Sequence, residues 1–160
     1  MVKVGDKVPS ATLRTMGPEG PKAITTEELF PKGKKVVAFA LPGAFTPTCS
    51  AKHVPSYIQN YEALKGKGVD EIWCLSVNDA FVMGAWSRDQ KAGGKIRFMA
   101  DGSADYTKKL GLELDLNARG MGTRSQRYSM LVDDGVVKTL NVEAPGKFEV
   151  SGGDTMLKQA

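Results

Sequence analysis

One uninterrupted apolar segment, residues 35–41, constrains the fold of this chain more than any other feature of the sequence. Apolar residues that follow one another without alternation are typical of a central strand with both faces buried. The loop 42–49 follows this segment directly, and helical spacing of apolar residues begins near Ser50. The sequence therefore predicts a strand–loop–helix unit in which Cys49 lies in the first turn of the helix.

The composition of the loop favours a reactive cysteine. Pro42 and Pro47 each fix φ near about −65° and so stiffen the loop. Thr46 offers a hydroxyl three residues before Cys49, able to donate to a thiolate or to a peroxide oxygen. Unpaired N–H groups and the positive end of the helix dipole favour a thiolate at this position. The alternative is a structural role for Cys49, because free cysteine is among the most buried residue types.

Cysteine and histidine counts argue against a metal site. The second cysteine, Cys74, lies too far from Cys49 for a zinc knuckle or a redox Cys-x-x-Cys motif. Two cysteines and the single histidine, His53, do not provide the four ligands of a dedicated zinc site. We therefore expect chemistry that needs no metal and no organic cofactor.

Size and charge set wider bounds. A chain of 160 residues, with 41% hydrophobic and 25% charged residues, predicts one globular domain over residues 1–160. The net charge of +4 comes from scattered lysines without a basic helix face, so nucleic-acid binding is not expected. No apolar run is long enough for a membrane span. Two cysteines are too few for a disulfide scaffold, and no targeting segment is evident, so we predict a cytoplasmic protein.

Strands and helices alternate along the rest of the chain. A capping box at residues 25–28 opens a short helix, and Pro55 should kink the helix after Cys49 or start a new segment. The other predicted elements are strands 71–77 and 96–100, helices 78–91, 101–111 and 154–159, and a hairpin of strands 126–132 and 136–141 around an Asp-Gly turn. This order predicts an α/β fold with a mixed central sheet flanked by helices.

The string PGAFTPTCSAKHVP, at residues 42–55, resembles the peroxidatic loop of the peroxiredoxins in their type II (atypical 2-Cys) branch. The resemblance extends over essentially the whole chain, through GVDEIWCLSVNDAFVMGAW, KIRFMADG, RSQRYSMLVDDG and SGGD. It implies a thioredoxin-like fold. It also implies a thiol peroxidase, which would reduce hydrogen peroxide and alkyl hydroperoxides through a sulfenic acid on Cys49.

The same resemblance assigns roles to the neighbours of Cys49. Pro42 and Thr46 complete the loop motif, and Arg127, directly before an aromatic residue, would contact the cysteine. Arg124 would then be a supporting or surface residue. His53, where most peroxiredoxins carry an acidic residue, would orient Arg127 and need not be a general base. The alternative for His53 is a half-exposed helix histidine without a special role.

The resemblance leaves Cys74 open between two roles. Type II members commonly have a second cysteine here, often described as resolving the sulfenic acid. However, Cys74 lies in the middle of a predicted strand among apolar neighbours, and a disulfide needs Cα atoms within about 7 Å. Regeneration could use Cys74, glutathione, or a glutaredoxin or thioredoxin partner.

Two aromatic residues near the predicted loop are candidates for a homodimer interface. In the family, aromatics like Phe45 and Phe81 pack across a homodimer interface, although these two and Trp86 could instead belong to the core.

A thiol–disulfide oxidoreductase is disfavoured by the absence of Cys-x-x-Cys. A non-catalytic redox sensor or chaperone-like module, with Cys49 as its switch, remains the alternative function.

Overall fold

The apolar segment that follows Lys35 forms an inner strand of a seven-stranded mixed sheet in the computed structural model, which describes residues 1–160. The strands are β1 (Thr12–Gly17), β2 (Gly20–Thr25), β3 (Lys35–Ala40), β4 (Glu71–Ser76), β5 (Arg97–Ala100), β6 (Glu113–Leu116), β7 (Gly122–Ser125), β8 (Tyr128–Asp133) and β9 (Val136–Val142). The α-helices are α1 (Thr26–Leu29), α2 (Val54–Gln59), α3 (Tyr61–Gly66), α4 (Ala80–Asp89), α5 (Asp105–Leu110) and α6 (Gly153–Gln159). None of these helices has the length and hydropathy needed to cross a membrane.

The strand order in the large sheet is β2-β1-β5-β4-β3-β8-β9. Strands β3, β4 and β5 run parallel, and the other pairings are antiparallel. Strands β6 and β7 form a separate two-stranded sheet. The predicted α/β fold with a mixed central sheet flanked by helices is confirmed.

Both faces of β3 are covered, as the absence of alternation predicted. Val37 and Phe39 belong to one apolar cluster, which includes residues of α2, α3, α4 and α6. Val36 and Ala38 belong to a second cluster, which includes residues of α1 and α5. Apolar residues on both faces of β3 are thereby removed from water, and the strand leads directly into the loop before Cys49.

Short-range signals located most element boundaries correctly. Thr25 caps α1, accepting a hydrogen bond from the Glu28 N–H at 3.3 Å, while its own N–H donates to the Glu28 carboxylate. Asp134 and Gly135 both have positive φ, of 55° and 75°, which the tight turn between β8 and β9 requires. Strands β4, β5, β8 and β9 and helices α4 and α6 lie within about two residues of the predicted bounds.

The helix after Cys49 is more broken than the sequence predicts. Residues Cys49–His53 form a π-helical turn, closed by a hydrogen bond from the Val54 N–H to the Cys49 carbonyl, before α2 begins. Pro55 has no N–H to donate and its ring crowds the carbonyl four residues earlier, which accounts for the wider turn. A second break falls at Asn60, whose side-chain amide donates to the Ser56 carbonyl at 2.7 Å.

Two strand pairs were not predicted from the sequence. The β1–β2 hairpin closes through two residues between Gly17 and Gly20, and only Leu13 in β1 is fully buried, so its alternation is weak. The β6–β7 pair has a similarly exposed pattern and forms a sheet of its own. The turn Gly17-Pro18-Glu19-Gly20 was the one local signal that could have indicated the first hairpin.

Candidate active site

Cys49 lies where the sequence placed it, in the first turn of a helix that begins at Pro47. The helix is closed at its start by a hydrogen bond from the Ser50 N–H to the Thr46 carbonyl at 3.0 Å. The Cys49 side chain is fully buried and forms no disulfide. The Ala44 N–H donates to the side chain of Asn78 at 3.0 Å, which holds the loop against the end of β4.

Arg127 reaches Cys49 because of strand pairing. Strands β3 and β8 pair with Ala40 opposite Tyr128, so Arg127 lies at the end of β3 where the loop begins. Its Nη2 donates to the Cys49 Sγ at 3.2 Å, and its Nη1 lies 2.9 Å from His53 Nδ1. An arginine keeps its charge at any pH of interest, so this contact supplies a permanent positive charge beside the sulfur.

His53 is completely buried, which excludes the half-exposed helix histidine. Its ring lies between Phe39 and Phe148, with centroids 4.9 and 5.0 Å away. Burial, reinforced by the charge of Arg127, lowers the pKa of His53 from 6.5 to about 3, so the ring is neutral near pH 7. Its Nε2 lies 3.0 Å from the carbonyl of Ser151.

Thr46 differs from the expectation in one respect. Its hydroxyl donates to the Gly43 carbonyl at 2.7 Å, so its proton is not directed at the sulfur. The lone pairs of the Thr46 oxygen are left to accept a hydrogen bond instead. Pro42 lies at the wall of the cleft that opens beside Arg127.

Arg124 supports the loop and does not contact the sulfur. Its Nε donates to the Met121 carbonyl at 2.9 Å, and its Nη1 approaches the carbonyls of Val77 and Pro42 at 3.4 and 3.5 Å. A side chain on Gly43 would place a Cβ 3.2 Å from this Nη1. Of the two roles considered for Arg124, the supporting one agrees with its contacts.

Cys74 lies in β4 opposite Phe39, fully buried on the same face of the sheet as Cys49. Burial raises the pKa of the Cys74 thiol well above its ordinary value, and the neighbouring Cys49 raises it further. A thiol in that environment is protonated and poorly accessible. Both cysteines are free.

The three aromatic residues divide into two groups. Trp86 is fully buried, and its Nε1 donates to the Ser50 hydroxyl at 3.0 Å, so it belongs to the core. Phe45 and Phe81 remain 52% and 65% exposed, which excludes a core role for both. Phe45 also has a φ of 62°, which is unusual for an aromatic residue.

Two residues near the site were not identified from the sequence. Ser151 supplies the carbonyl that meets His53, and the buried carboxylate of Glu143 accepts hydrogen bonds from the N–H groups of residues 149–151. Glu143 directly follows β9 and belongs to no recognisable motif, and Ser151 begins the SGGD string, which supported the resemblance without indicating a role for this residue. Their importance depends on contacts between distant parts of the chain.

A cleft opens beside Arg127. Its lining includes Pro42, Thr48, Gln126, Arg127, Glu143 and Lys147. The cleft therefore reaches Arg127, which contacts the thiol, but Cys49 itself is buried and does not line it. No group of three or more His, Cys, Asp or Glu side chains in the chain is arranged to hold a metal ion.

Known proteins similar to this chain have the same architecture. The family model described as Redoxin matches residues 3–157. Peroxiredoxin-2B of Arabidopsis thaliana is 49% identical over 157 residues, which cover 98% of this chain and 97% of the relative. The crystal structure of reduced Prx3 in complex with H2O2 from Vibrio vulnificus is 54% identical and superposes with a TM-score of 0.94, covering 99% of each chain. A crystal structure from Burkholderia cenocepacia, described as a putative thioredoxin reductase, is 57% identical with a TM-score of 0.96, covering 100% of this chain and 98% of that one.

Proposed function

Because the chain belongs to the type II peroxiredoxins, within the redoxin family, we propose that it reduces hydrogen peroxide and alkyl hydroperoxides through a sulfenic acid on Cys49. Membership of this family makes the chain a thiol peroxidase with a thioredoxin-like fold, acting on a peroxide and using a thiol reductant.

The contact of Arg127 Nη2 with the Cys49 Sγ, at 3.2 Å, carries this proposal. The guanidinium stabilises the thiolate, and the neutral His53 ring accepts its other N–H without adding a competing charge. The thiolate attacks the terminal peroxide oxygen, the O–O bond breaks, and the departing oxygen takes up a proton to leave as water or an alcohol. Cys49 is left as a sulfenic acid, oxidised by two electrons.

Two features near the sulfur suit a bound peroxide. The Thr46 oxygen, whose proton is engaged with Gly43, is free to accept a hydrogen bond from the peroxide O–H. Arg127 can donate to the oxygen that gains negative charge as the O–O bond breaks. The complex of Vibrio vulnificus Prx3 with H2O2, from a protein 54% identical to this chain, supports hydrogen peroxide as one substrate.

An external thiol regenerates Cys49 in this proposal. Burial and a raised pKa make Cys74 a poor nucleophile while the helix start remains folded. Glutathione, or the thiol of a glutaredoxin or thioredoxin, condenses with the sulfenic acid and releases water, and a second thiol then displaces Cys49 from the mixed disulfide. Direct resolution by Cys74 would require the turn around Cys49 to open first.

Replacement of each cysteine in turn tests the proposal. We expect Cys49→Ser to lose all turnover of hydrogen peroxide with glutathione and glutaredoxin or with thioredoxin, because a serine hydroxyl is not ionised at neutral pH. Cys74→Ser is the matched control and should retain substantial turnover with glutathione and glutaredoxin. Turnover by Cys49→Ser would contradict the mechanism, and a wild-type chain that oxidises once and stops would be a redox sensor instead.

Assembly and location complete the proposal. The exposed Phe45 and Phe81 side chains favour a homodimer formed through the loops that surround the active site. Two free cysteines favour a reducing compartment, hence the cytoplasm. Immunofluorescence or cell fractionation that places the protein in an oxidising compartment would overturn the second point.

A further inference from the structure

Four hydrogen bonds form a closed ring that starts and ends at Arg127. The ring passes through Glu143, Ser151 and His53. The Glu143 N–H donates to the Arg127 carbonyl at 2.9 Å, and the Ser151 N–H donates to the Glu143 carboxylate at 2.8 Å. The Ser151 carbonyl lies 3.0 Å from His53 Nε2, and His53 Nδ1 lies 2.9 Å from Arg127 Nη1. Glu143 therefore contacts Arg127 through its backbone and reaches the guanidinium through its side chain, Ser151 and His53.

The Glu143 carboxylate is built into the fold. Its side chain is buried and accepts hydrogen bonds from the N–H groups of Glu149, Val150 and Ser151 at 2.8–2.9 Å, and from the Ser151 hydroxyl at 2.7 Å. Burial raises the pKa of Glu143, but these hydrogen bonds outweigh burial and hold the pKa below its ordinary value. No lysine or arginine forms an ion pair with it. Its charge is balanced by backbone donors, which fix the peptides of residues 149–151.

The position of those peptides determines the state of His53. A carbonyl oxygen can only accept, so the contact with the Ser151 carbonyl requires the proton of the neutral ring to be on Nε2. Nδ1 is then an acceptor, which is what the Arg127 N–H needs. Tyr57 donates to the same Ser151 carbonyl at 2.8 Å and holds it from a second side.

We propose that Glu143 is a positioning residue for the peroxidase reaction: it holds the Ser151 carbonyl against His53 and thereby aims the Arg127 guanidinium at Cys49. The proposal rests on the proposed role of Cys49, but two of its three tests measure the resting site without any turnover. Glutamine is the most informative replacement. It keeps the size of the side chain, but in either orientation of the amide its NH2 group faces at least the Glu149 N–H, which needs an acceptor, so the support of the 149–151 turn is weakened.

Charge removal and loss of positioning predict opposite effects at Cys49. If Glu143 acted only through its charge, Glu143→Gln would leave Arg127 less compensated and the Cys49 thiolate better stabilised. The pH midpoint of Cys49 alkylation by iodoacetamide would then fall. If Glu143 positions Arg127, the guanidinium moves away from the sulfur and the midpoint rises. The sign of the change therefore distinguishes the two roles.

The experiment compares Glu143→Gln with Glu149→Gln, whose side chain is exposed in the same turn and makes no hydrogen bond. We expect Glu143→Gln to raise the alkylation midpoint and to slow the reaction of reduced protein with hydrogen peroxide by about tenfold or more, because a small misplacement of a catalytic group slows a reaction strongly. Glu149→Gln should leave both unchanged. A folded Glu143→Gln protein, judged by near-UV circular dichroism, with an unchanged or lowered midpoint would overturn the proposal.

A second measurement uses the wild-type protein and does not require any variant to fold. His53 is the only histidine, so protein labelled with 15N-histidine gives the signals of this ring alone. We expect a neutral ring protonated at Nε2, with Nδ1 unprotonated, from pH 5 to 8. A proton on Nδ1 would break the chain of contacts and overturn the proposal even if the protein is a fully active peroxidase. In Glu143→Gln we expect a mixture of the two tautomers.

Discussion

The direction of the Arg127 guanidinium is fixed as well as its charge. Its guanidinium donates from one nitrogen to His53 and from another to Cys49, so its position is fixed by two contacts at 2.9 and 3.2 Å. Arg124 has the same charge and lies three residues away, but its donors are directed to backbone carbonyls of the loop. The two arginines therefore make different contacts: Arg127 contacts the sulfur, and Arg124 contacts the loop before Cys49.

Arg127→Ala should slow the reaction with hydrogen peroxide by about two to three orders of magnitude, as expected when one preorganised charged donor is lost. Stopped-flow measurement on the reduced protein reports the rate directly. The control is Arg97→Ala, because Arg97 is an exposed arginine that pairs with Glu71 on the surface. A near-wild-type rate in Arg127→Ala would transfer the role to Arg124.

His53 should make the fold sensitive to mild acid. Because its pKa falls from 6.5 to about 3 on folding, the unfolded chain binds a proton in that window that the folded chain does not. Stability is therefore lost as the pH falls below 6.5. From the size of the shift, about 2 kcal/mol of the free energy of unfolding should be lost between pH 7 and 5.

Urea unfolding of the wild type at pH 7 and 5 measures this loss. His53→Gln removes the only histidine and should abolish most of the difference between the two pH values. An equal pH dependence in the variant would assign the acid sensitivity to other groups.

At the scale of elements, α6 packs against α2 in close contact at Gly153. The Gly153 N–H donates to the Ser56 hydroxyl at 3.0 Å, and a Cβ on Gly153 would overlap the Ser56 carbonyl. Gly153 lies two residues after Ser151, so the contact between the two helices also helps to place the carbonyl that meets His53. A glycine is required here by close approach, since its φ is not positive.

Gly153→Ala should lower the free energy of unfolding by about 1–3 kcal/mol, the usual cost of overpacking, because α6 must move away from α2. Gly93→Ala is the control, since no atom lies within 4 Å of a Cβ at that position. Urea unfolding of both variants at one pH would measure the effect. Equal stability of the two variants would mean that α6 adjusts without loss.

At the scale of the whole molecule, the exposed aromatic residues next to the active-site loop are the surface through which we propose a homodimer. Phe45 and Phe81 are large and apolar, and Asn78 ties the loop of Phe45 to the segment before α4, which contains Phe81. Burial of both side chains would remove apolar area from water and stabilise the loop in its strained conformation at Phe45.

Phe81→Asp should shift a homodimer to monomer in sedimentation velocity, because a charge would be buried without a partner at the interface. Val4→Asp serves as the control, since Val4 is similarly exposed but lies in the N-terminal segment. The dimer prediction would be wrong if Phe81→Asp sedimented as the wild type does.

The sequence by itself determined those features that depend on neighbouring residues. The buried strand β3, the loop with Cys49 at a helix start, the capping box at Thr25 and the Asp-Gly hairpin each follow from a few consecutive side chains and their backbone preferences. The resemblance of residues 42–55 selected the family, and the match of the Redoxin model to residues 3–157 confirmed it.

Only the tertiary structure decided how polar groups choose their partners. His53 and Ser151 are 98 residues apart, so no local pattern shows that they meet. Arg127 and Cys49 are 78 residues apart, and their contact was expected only from the family resemblance. The direction of the Thr46 proton and the burial of Glu143 could not be predicted from the sequence for the same reason. A buried polar group must find a partner, but which one it finds depends on how the helices and the sheet pack together.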